Sequence, residues 1–188
     1  MVPPIPGSGD EDACAGRVAR HREAAAWKPS YPLPFLDCIS TSELREAMHT
    51  GQAMTVLCVD DNPHVAEALR VKLARSLEIL WQGWLSSADE LVHTAERLNP
   101  TIVLLDVDMP GKDPFVAVSE LADRCPTAKV VIFSGHVRRE LIDRALESGA
   151  WGYVSKNDDE GDLLKVIRAV ADGEVAFSPE VRSTYDRV

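Results

Sequence analysis

The feature that most constrains the fold of this chain is a regular alternation of short apolar runs and helical patterns, which begins at Met54. Three of the runs, at 54–59, 101–105 and 129–133, are almost entirely apolar. Continuous apolar runs of this length are typical of strands that are buried on both faces of a parallel sheet. The chain is therefore predicted to contain an α/β domain whose sheet lies between layers of helices.

Two weaker strands and five helices complete the alternation. One strand is predicted at 77–85, where two tryptophans and a glycine interrupt the apolar pattern, and the other at 151–154. The helices are predicted from Pro63, with an apolar face that extends to Leu77, and at about 88–98, 114–124, 138–148 and 160–172. Five strands that alternate with five helices imply right-handed crossovers and a doubly wound, mainly parallel sheet with helices on both faces.

Residues 1–52 differ from this pattern. They are rich in proline and show little periodicity, so a largely flexible N-terminal extension is expected. Ser40 and Glu43 have the spacing of a capping box and Gly51 can end a helix, which predicts a short helix at 40–50. The folded domain is expected to occupy residues 53–178, and residues 179–188 are expected to form a C-terminal tail.

Charge and cysteine content exclude several classes of protein. The formal net charge of −10 argues against a nucleic-acid or anionic-membrane partner. The cysteines lie far apart without metal-site or disulfide spacing, at Cys14, Cys38, Cys58 and Cys125. No apolar run approaches the ~18–20 residues that a membrane span requires, and the first residues lack the features of a secretory signal. A cytoplasmic protein with reduced thiols is expected.

Polar residues follow the predicted strands at the points where the strands end. Asp60 and Asp61 follow the first strand, Asp106 the third, Ser134 the fourth and Lys156 the fifth. In a doubly wound sheet the functional crevice opens at the carboxyl ends of the strands, so these side chains are expected to meet. A cluster of carboxylates suffers like-charge repulsion, and Mg²⁺, which prefers oxygen ligands, would relieve it.

The residue types in this cluster match the requirements of phosphoryl transfer. With a metal ion present, the Asp106 carboxylate can act as a nucleophile toward phosphorus. The transferred group then needs mainly positioning and neutralisation of its oxygens. Mg²⁺ would neutralise one oxygen, the Lys156 ammonium a second, and the Ser134 hydroxyl would donate to a third.

Four motifs in this region closely resemble those of receiver domains of two-component response regulators. They are Val-Asp60-Asp61-Asn, Leu-Leu-Asp106-Val-Asp-Met109-Pro110-Gly, Val-Val-Ile-Phe-Ser134-Gly and Gly-Ala-Trp-Gly-Tyr153-Val-Ser-Lys156. They occur in order and at suitable spacings, and the resemblance spans about residues 54–178. It implies a flavodoxin-like sheet with strand order 2-1-3-4-5 and a signalling protein rather than an enzyme.

The resemblance also assigns roles to individual residues. It implies that Asp106 is the phosphoacceptor, which receives the phosphoryl group from a histidine kinase or a phosphotransfer protein. Asp60 and Asp61 would hold Mg²⁺ together with Asp106, with Asp61 as a direct ligand. The residue at position 108, Asp108, would lend its backbone carbonyl to the metal.

The same resemblance implies a route for the signal. Ser134 and Tyr153 match the pair that couples phosphorylation to the surface formed by the helix at 138–148, the strand at 151–154 and the helix at 160–172. A downstream protein would bind at that surface, and a homodimer is possible. No nucleic acid or membrane partner is expected for this chain alone.

Two residues depart from the receiver pattern. Receivers usually have glycine at the position of Pro114, so the loop after Asp106 is expected to differ. Many relatives have proline, with a cis bond, at the position of Asn157. Neither change removes a charged group, so the chemistry is expected to survive.

Two alternative functions stay open at this stage. Asp106-Val-Asp108 resembles the nucleophile and general-acid pair of haloacid-dehalogenase-type phosphatases, although that motif normally ends the first strand. The stretch 162–179 resembles the end of the receiver in helix-turn-helix transcription regulators. The chain is accordingly expected to be either a stand-alone receiver or a fragment or decayed relative of such a regulator.

Histidines and tryptophans in the domain are assigned structural roles. His64, His93 and His136 have no metal-like spacing and are interpreted as surface or loop residues. Trp81 and Trp84 are interpreted as packing residues, with a partner surface as the alternative.

Overall fold

The strands of the domain all run parallel in a computed structural model that describes residues 53–187. The predicted extension at 1–52, with its helix at 40–50, lies outside the described residues. In chain order the elements are β1 Met54–Val59, α1 Pro63–Leu73, β2 Ile79–Leu85, α2 Leu91–Leu98, β3 Ile102–Leu105, α3 Pro114–Arg124, β4 Lys129–Ser134, α4 Arg139–Glu147, β5 Gly152–Ser155, α5 Glu160–Ala171, β6 Ala176–Phe177 and α6 Pro179–Tyr185. Among these helices none has the length and apolar character that crossing a bilayer requires.

The sheet has the order β2-β1-β3-β4-β5-β6, which confirms the predicted doubly wound arrangement. The prediction of five strands was incomplete, because the two-residue strand β6 extends the sheet beyond β5. A strand of two residues is too short to produce a periodic sequence pattern. Residues 179–185, within the predicted tail, form helix α6, whose Val181 side chain is fully buried.

Helices cover both faces of the sheet, and the alternation of side chains along each strand separates two cores. Leu57 and Leu105 belong to the core under α2, α3 and α4, whereas Val56 and Leu104 belong to the core under α1 and α5. Successive residues of a strand point to opposite faces, so a strand buried on both sides must be apolar throughout. This explains the unbroken apolar runs in the sequence.

Strand β2 contains a bulge that the sequence analysis registered only as an interrupted pattern. Trp81 pairs with Val56 and Trp84 with Cys58, and the register shifts between these two pairs. Because the bulge takes up one residue between them, both indoles pack on the α1 and α5 side of the sheet, as their predicted packing role requires. The assignment of Leu77 to a helix face was wrong, because this side chain is 82% exposed and α1 ends before it.

The departure at Pro114 fits the local structure. Pro114 is the first residue of α3, where its missing N–H would have had no helical partner. The carboxylate of Asp113 caps the helix by accepting a hydrogen bond from the Phe115 amide at 2.8 Å. Proline at this position therefore starts the helix instead of disturbing it.

Candidate functional site

Three carboxylates meet at the carboxyl ends of β1 and β3. Asp60, Asp61 and Asp106 each place a carboxylate oxygen within 4.8 Å of the others. The neighbouring strands align these residues, because the Asp106 amide donates to the Val59 carbonyl at 2.9 Å. Asp60 and Asp106 are only 1% and 4% exposed, whereas Asp61 faces solvent. The cluster is thus a half-open acidic pocket.

Lys156 supplies the positive charge of this pocket. Its Nζ atom lies 2.8 Å from Oδ2 of Asp60 and 2.8 Å from Oδ2 of Asp106. The Lys156 amide donates to the Ser134 carbonyl at 2.9 Å, which ties the residue to the end of β4. Burial alone would lower the pKa of Lys156, but the hydrogen bonds and charges of Asp106 and Asp60 raise it above its ordinary value.

The carboxylate of Asp106 is held through both of its oxygens. Oδ2 accepts from Lys156, and Oδ1 accepts from the backbone amides of Val107 at 2.8 Å and Asp108 at 3.4 Å. The Asp60 carboxylate is fixed in a similar way, since its Oδ1 accepts from the Asn62 amide at 2.9 Å. These contacts orient both carboxylates without closing the pocket on the side of Asp61.

The donor set suits a hard divalent cation. Three carboxylates and one ammonium leave two net negative charges in the pocket, and all the candidate ligands are oxygens. Mg²⁺ prefers a few carboxylates with carbonyl oxygen and water, and the exposed side of Asp61 leaves space for water. The residues present therefore fit the expected metal.

The side chain of Asp108 points away from the other acids. It is 73% exposed, and its Oδ2 lies 3.5 Å from Nδ1 of His136. Within the described residues the acidic cluster contains Asp60, Asp61 and Asp106 but not the Asp108 carboxylate. Only the backbone of Asp108 remains near the pocket, through its amide contact with Asp106.

Ser134 ends β4, whereas Tyr153 lies within β5 opposite Ile132, and both side chains are buried. The backbone of His136 joins them, because its amide donates to Ser134 Oγ at 3.1 Å and its carbonyl accepts from the Tyr153 hydroxyl at 2.7 Å. Burial raises the pKa of Tyr153 to about 12. The aromatic ring thus lies in the core under α2, α3 and α4.

Sequence reasoning missed the parts that two residues play at this site. His136 was interpreted as a surface or loop residue, yet its backbone connects Ser134 with Tyr153. Trp84 was interpreted as a packing residue, yet its indole N–H donates to the Asp60 carbonyl at 2.7 Å. Both contacts use backbone atoms, which every residue type possesses, so the sequence carries no signal for them.

A parallel sheet of this order with an acidic pocket at its carboxyl edge defines a receiver-type signalling domain. The family model described as "Response regulator receiver domain" matches residues 56–168. The chain therefore belongs to this family. The Escherichia coli (strain K12) nitrate/nitrite response regulator protein NarL is 30% identical over 131 residues, which are 70% of this chain and 61% of NarL. The chain thus spans about three fifths of the length of the curated relatives that it matches.

Solved structures agree with this assignment. A two-component response regulator of the LuxR family from Aurantimonas sp. SI85-9A1 is 28% identical, with a TM-score of 0.68 over 71% of this chain and 95% of that one. The isolated REC domain of RcsB from Salmonella enterica serovar Typhimurium has a TM-score of 0.66 at 20% identity, over 71% of this chain and 99% of that one. The second likeness is one of fold alone.

Proposed function

We propose that this protein accepts a phosphoryl group on Asp106 from a histidine kinase or a phosphotransfer protein and passes on the signal by changing shape. The observation that carries the proposal is the position of Asp106. Its carboxylate is buried and lies close to two other acids, and one of its oxygens is 2.8 Å from Nζ of Lys156. A nucleophile, a cation and a set of metal ligands therefore share one pocket.

The pocket residues would divide the chemistry between them. A carboxylate oxygen of Asp106 attacks phosphorus while the bond from phosphorus to the donor breaks, so the phosphoryl group ends on Asp106. Mg²⁺ bound by Asp60, Asp61, Asp106 and the Asp108 carbonyl would supply neutralising charge for the phosphoryl oxygens. Lys156 would bind another of these oxygens. The Ser134 hydroxyl accepts from the His136 amide and keeps its own hydrogen to donate to a third.

The direct test is phosphorylation by a small donor. With Mg²⁺ and acetyl phosphate, intact-protein mass spectrometry should show one added phosphoryl group, and the group should be labile to acid and base. Asp106→Asn should abolish the modification, and Asp108→Asn, which changes an exposed carboxylate nearby, should keep it. An unchanged modification in the Asp106 variant would show that another residue is the acceptor.

The position of Asp108 does not meet the main geometric requirement of the phosphatase alternative. A general acid must reach the leaving oxygen near the nucleophile. The Asp108 carboxylate instead faces solvent beside His136 and does not join the cluster around Asp106. This arrangement favours the signalling role over catalysis by an acid pair.

The remaining elements of the proposed function concern partners and location. We propose that a downstream protein, or a second copy of this chain, reads the surface formed by α4, β5 and α5. The acidic charge of the chain argues against nucleic acid as the partner of the described residues. A cytoplasmic location fits the free and buried thiols of Cys58 and Cys125.

A further inference from the structure

Trp84 makes a contact with the backbone of the acidic pocket that its packing role does not explain. Its indole N–H donates to the carbonyl of Asp60 at 2.7 Å. That carbonyl belongs to the peptide group that joins Asp60 to Asp61, the two acids after β1. The orientation of this peptide group sets the directions in which both carboxylates leave the backbone.

The position of the indole is itself fixed by packing. The bulge in β2 places Trp84 opposite Cys58, on the face of the sheet that is covered by α1 and α5. Trp81 packs on the same face of the same strand, but its partner is Val56, near the middle of β1. The two tryptophans therefore share an environment and differ in their distance from the pocket.

We infer that Trp84 is a positioning residue for the metal site. Its N–H locks the 60–61 peptide group so that the buried Asp60 carboxylate and the exposed Asp61 carboxylate converge on one cation. This inference rests on the proposed Mg²⁺ site. Without the N–H the peptide group gains freedom to rotate, and the site must be ordered again each time that the metal binds.

The test compares Trp84→Phe with the matched control Trp81→Phe by calorimetric titration with Mg²⁺. Trp84→Phe should weaken Mg²⁺ binding about fivefold, the effect of one lost hydrogen bond, whereas Trp81→Phe should leave it within about twofold. The Mg²⁺-dependent change in tryptophan fluorescence should persist in Trp81→Phe and shrink in Trp84→Phe.

A second variant carries benzothienylalanine at position 84, which replaces only the indole N–H. It should weaken Mg²⁺ binding as phenylalanine does, and it tests the inference even if Trp84→Phe unfolds. Equal affinities in all variants would overturn the inference, while wild-type protein that does not bind Mg²⁺ would overturn the proposed function.

A second inference concerns residues 176–185, which form β6 and α6 and are called the C-terminal clasp below. The clasp lies against the outer edge of β5, where Phe177 pairs with Tyr153 and the Ser178 amide donates to the Tyr153 carbonyl at 3.1 Å. Gly152 permits this close approach, because a Cβ atom there would lie 3.0 Å from the Ala176 carbonyl oxygen. The clasp therefore covers part of the surface proposed for output.

Ser155 joins the clasp to the acidic pocket. Its amide donates to Ser178 Oγ at 3.1 Å, and its hydroxyl donates to the carboxylate of Glu180. The same hydroxyl accepts from the Asn157 amide at 3.1 Å, a contact that a proline at this position could not make. Lys156, which binds Asp60 and Asp106, lies between Ser155 and Asn157 in the chain.

The far end of the clasp is fixed to α4. Arg139 donates to the Tyr185 carbonyl at 2.6 Å, and its guanidinium group lies 4.2 Å from the centre of the Tyr185 ring. The clasp thus connects Ser155, the neighbour of Lys156, with helix α4, which follows Ser134. A shift of the β5 backbone at Tyr153 or Ser155 would therefore act directly on the contacts of the clasp.

We propose that the C-terminal clasp is the part of the output surface that responds to phosphorylation. This proposal also rests on the proposed function. Hydrogen exchange at residues 176–186 should change at least about twofold when beryllofluoride and Mg²⁺ are added, because the exchange rate follows the local opening equilibrium. Ser155→Ala should reduce this response, whereas Ser183→Ala, on the exposed side of α6, should leave it intact. An unchanged clasp in wild-type protein whose residues 134–160 do respond would overturn the proposal, while no response anywhere would count against the proposed function.

Discussion

Two lysines of this protein make ion pairs of the same length in different surroundings. Lys156 lies 2.8 Å from the carboxylates of Asp60 and Asp106 in the pocket, and Lys165 lies 2.8 Å from Asp162 on the outer face of α5. The side chain of Lys156 is 21% exposed and that of Lys165 is 75% exposed. Water screens the outer pair, whereas two buried carboxylates depend on Lys156. Burial, and not distance, therefore separates the pocket contact from the surface contact.

The largest effect should come from removing the pocket ammonium. Lys156→Met leaves two buried carboxylates without a cation, so the free energy of unfolding should fall by about 3 kcal/mol in the absence of divalent ions. Mg²⁺ should recover part of the loss, because it restores positive charge beside the same carboxylates. Urea denaturation with and without Mg²⁺ measures both effects. The matched change Lys165→Met should be close to neutral, and equal losses in the two variants would contradict the comparison.

The next effect concerns Tyr153, a buried group without a formal charge at neutral pH. Its pKa is raised to about 12, so the unfolded chain releases the phenolic proton at lower pH than the folded chain does. The stabilising effect of the neutral ring is complete below about pH 10 and falls as the pH rises toward 12, by at most about 2.7 kcal/mol. Urea denaturation between pH 9 and 11 should show this decline. The decline should be shallower in Tyr153→Phe, and parallel curves would contradict the assignment.

A smaller effect is expected at the exposed member of the acidic cluster. Asp61→Ala should weaken Mg²⁺ binding and, by relieving repulsion, stabilise the metal-free fold by up to about 1–2 kcal/mol. Calorimetric titration and urea denaturation test the two expectations separately. Asp186→Ala is a control for the loss of one negative charge. Asp186 is an exposed acid in the C-terminal cap of α6. Mg²⁺ affinity that is equal in wild type and Asp61→Ala would remove this residue from the site.

An effect of similar size concerns the coupling between the pocket and the buried pair Ser134 and Tyr153. Ser134→Ala removes the hydroxyl that is proposed to donate to the phosphoryl group and should reduce the coupling free energy by about 1–2 kcal/mol. Phosphorylation should survive, because Asp106, Lys156 and the metal ligands remain. Hydrogen exchange across residues 134–160, with and without beryllofluoride, should change less in this variant than in wild type. Identical responses would exclude this route.

The sequence predicted the centre of the sheet better than its edges. Strands β1, β3 and β4 were predicted because burial on both faces demands continuous apolar residues. The acidic residues and Lys156 were placed by the rule that strand ends meet at one edge of a parallel sheet. Strand β6 gave no signal, because two residues carry no period. The register shift in β2 also depends on tertiary pairing that no local pattern encodes.

The bulge in β2 has a consequence for how this strand tolerates changes in length. Gln82 is the extra residue, and its side chain is tied to α2 by a hydrogen bond to the Leu98 carbonyl at 3.1 Å. Removing it would restore simple alternation, and Trp81 and Trp84 would still face the same side of the sheet. The strand can thus lose this residue without turning either tryptophan outward. Evolution could therefore vary the length of this edge strand while the indole next to Asp60 stayed in place.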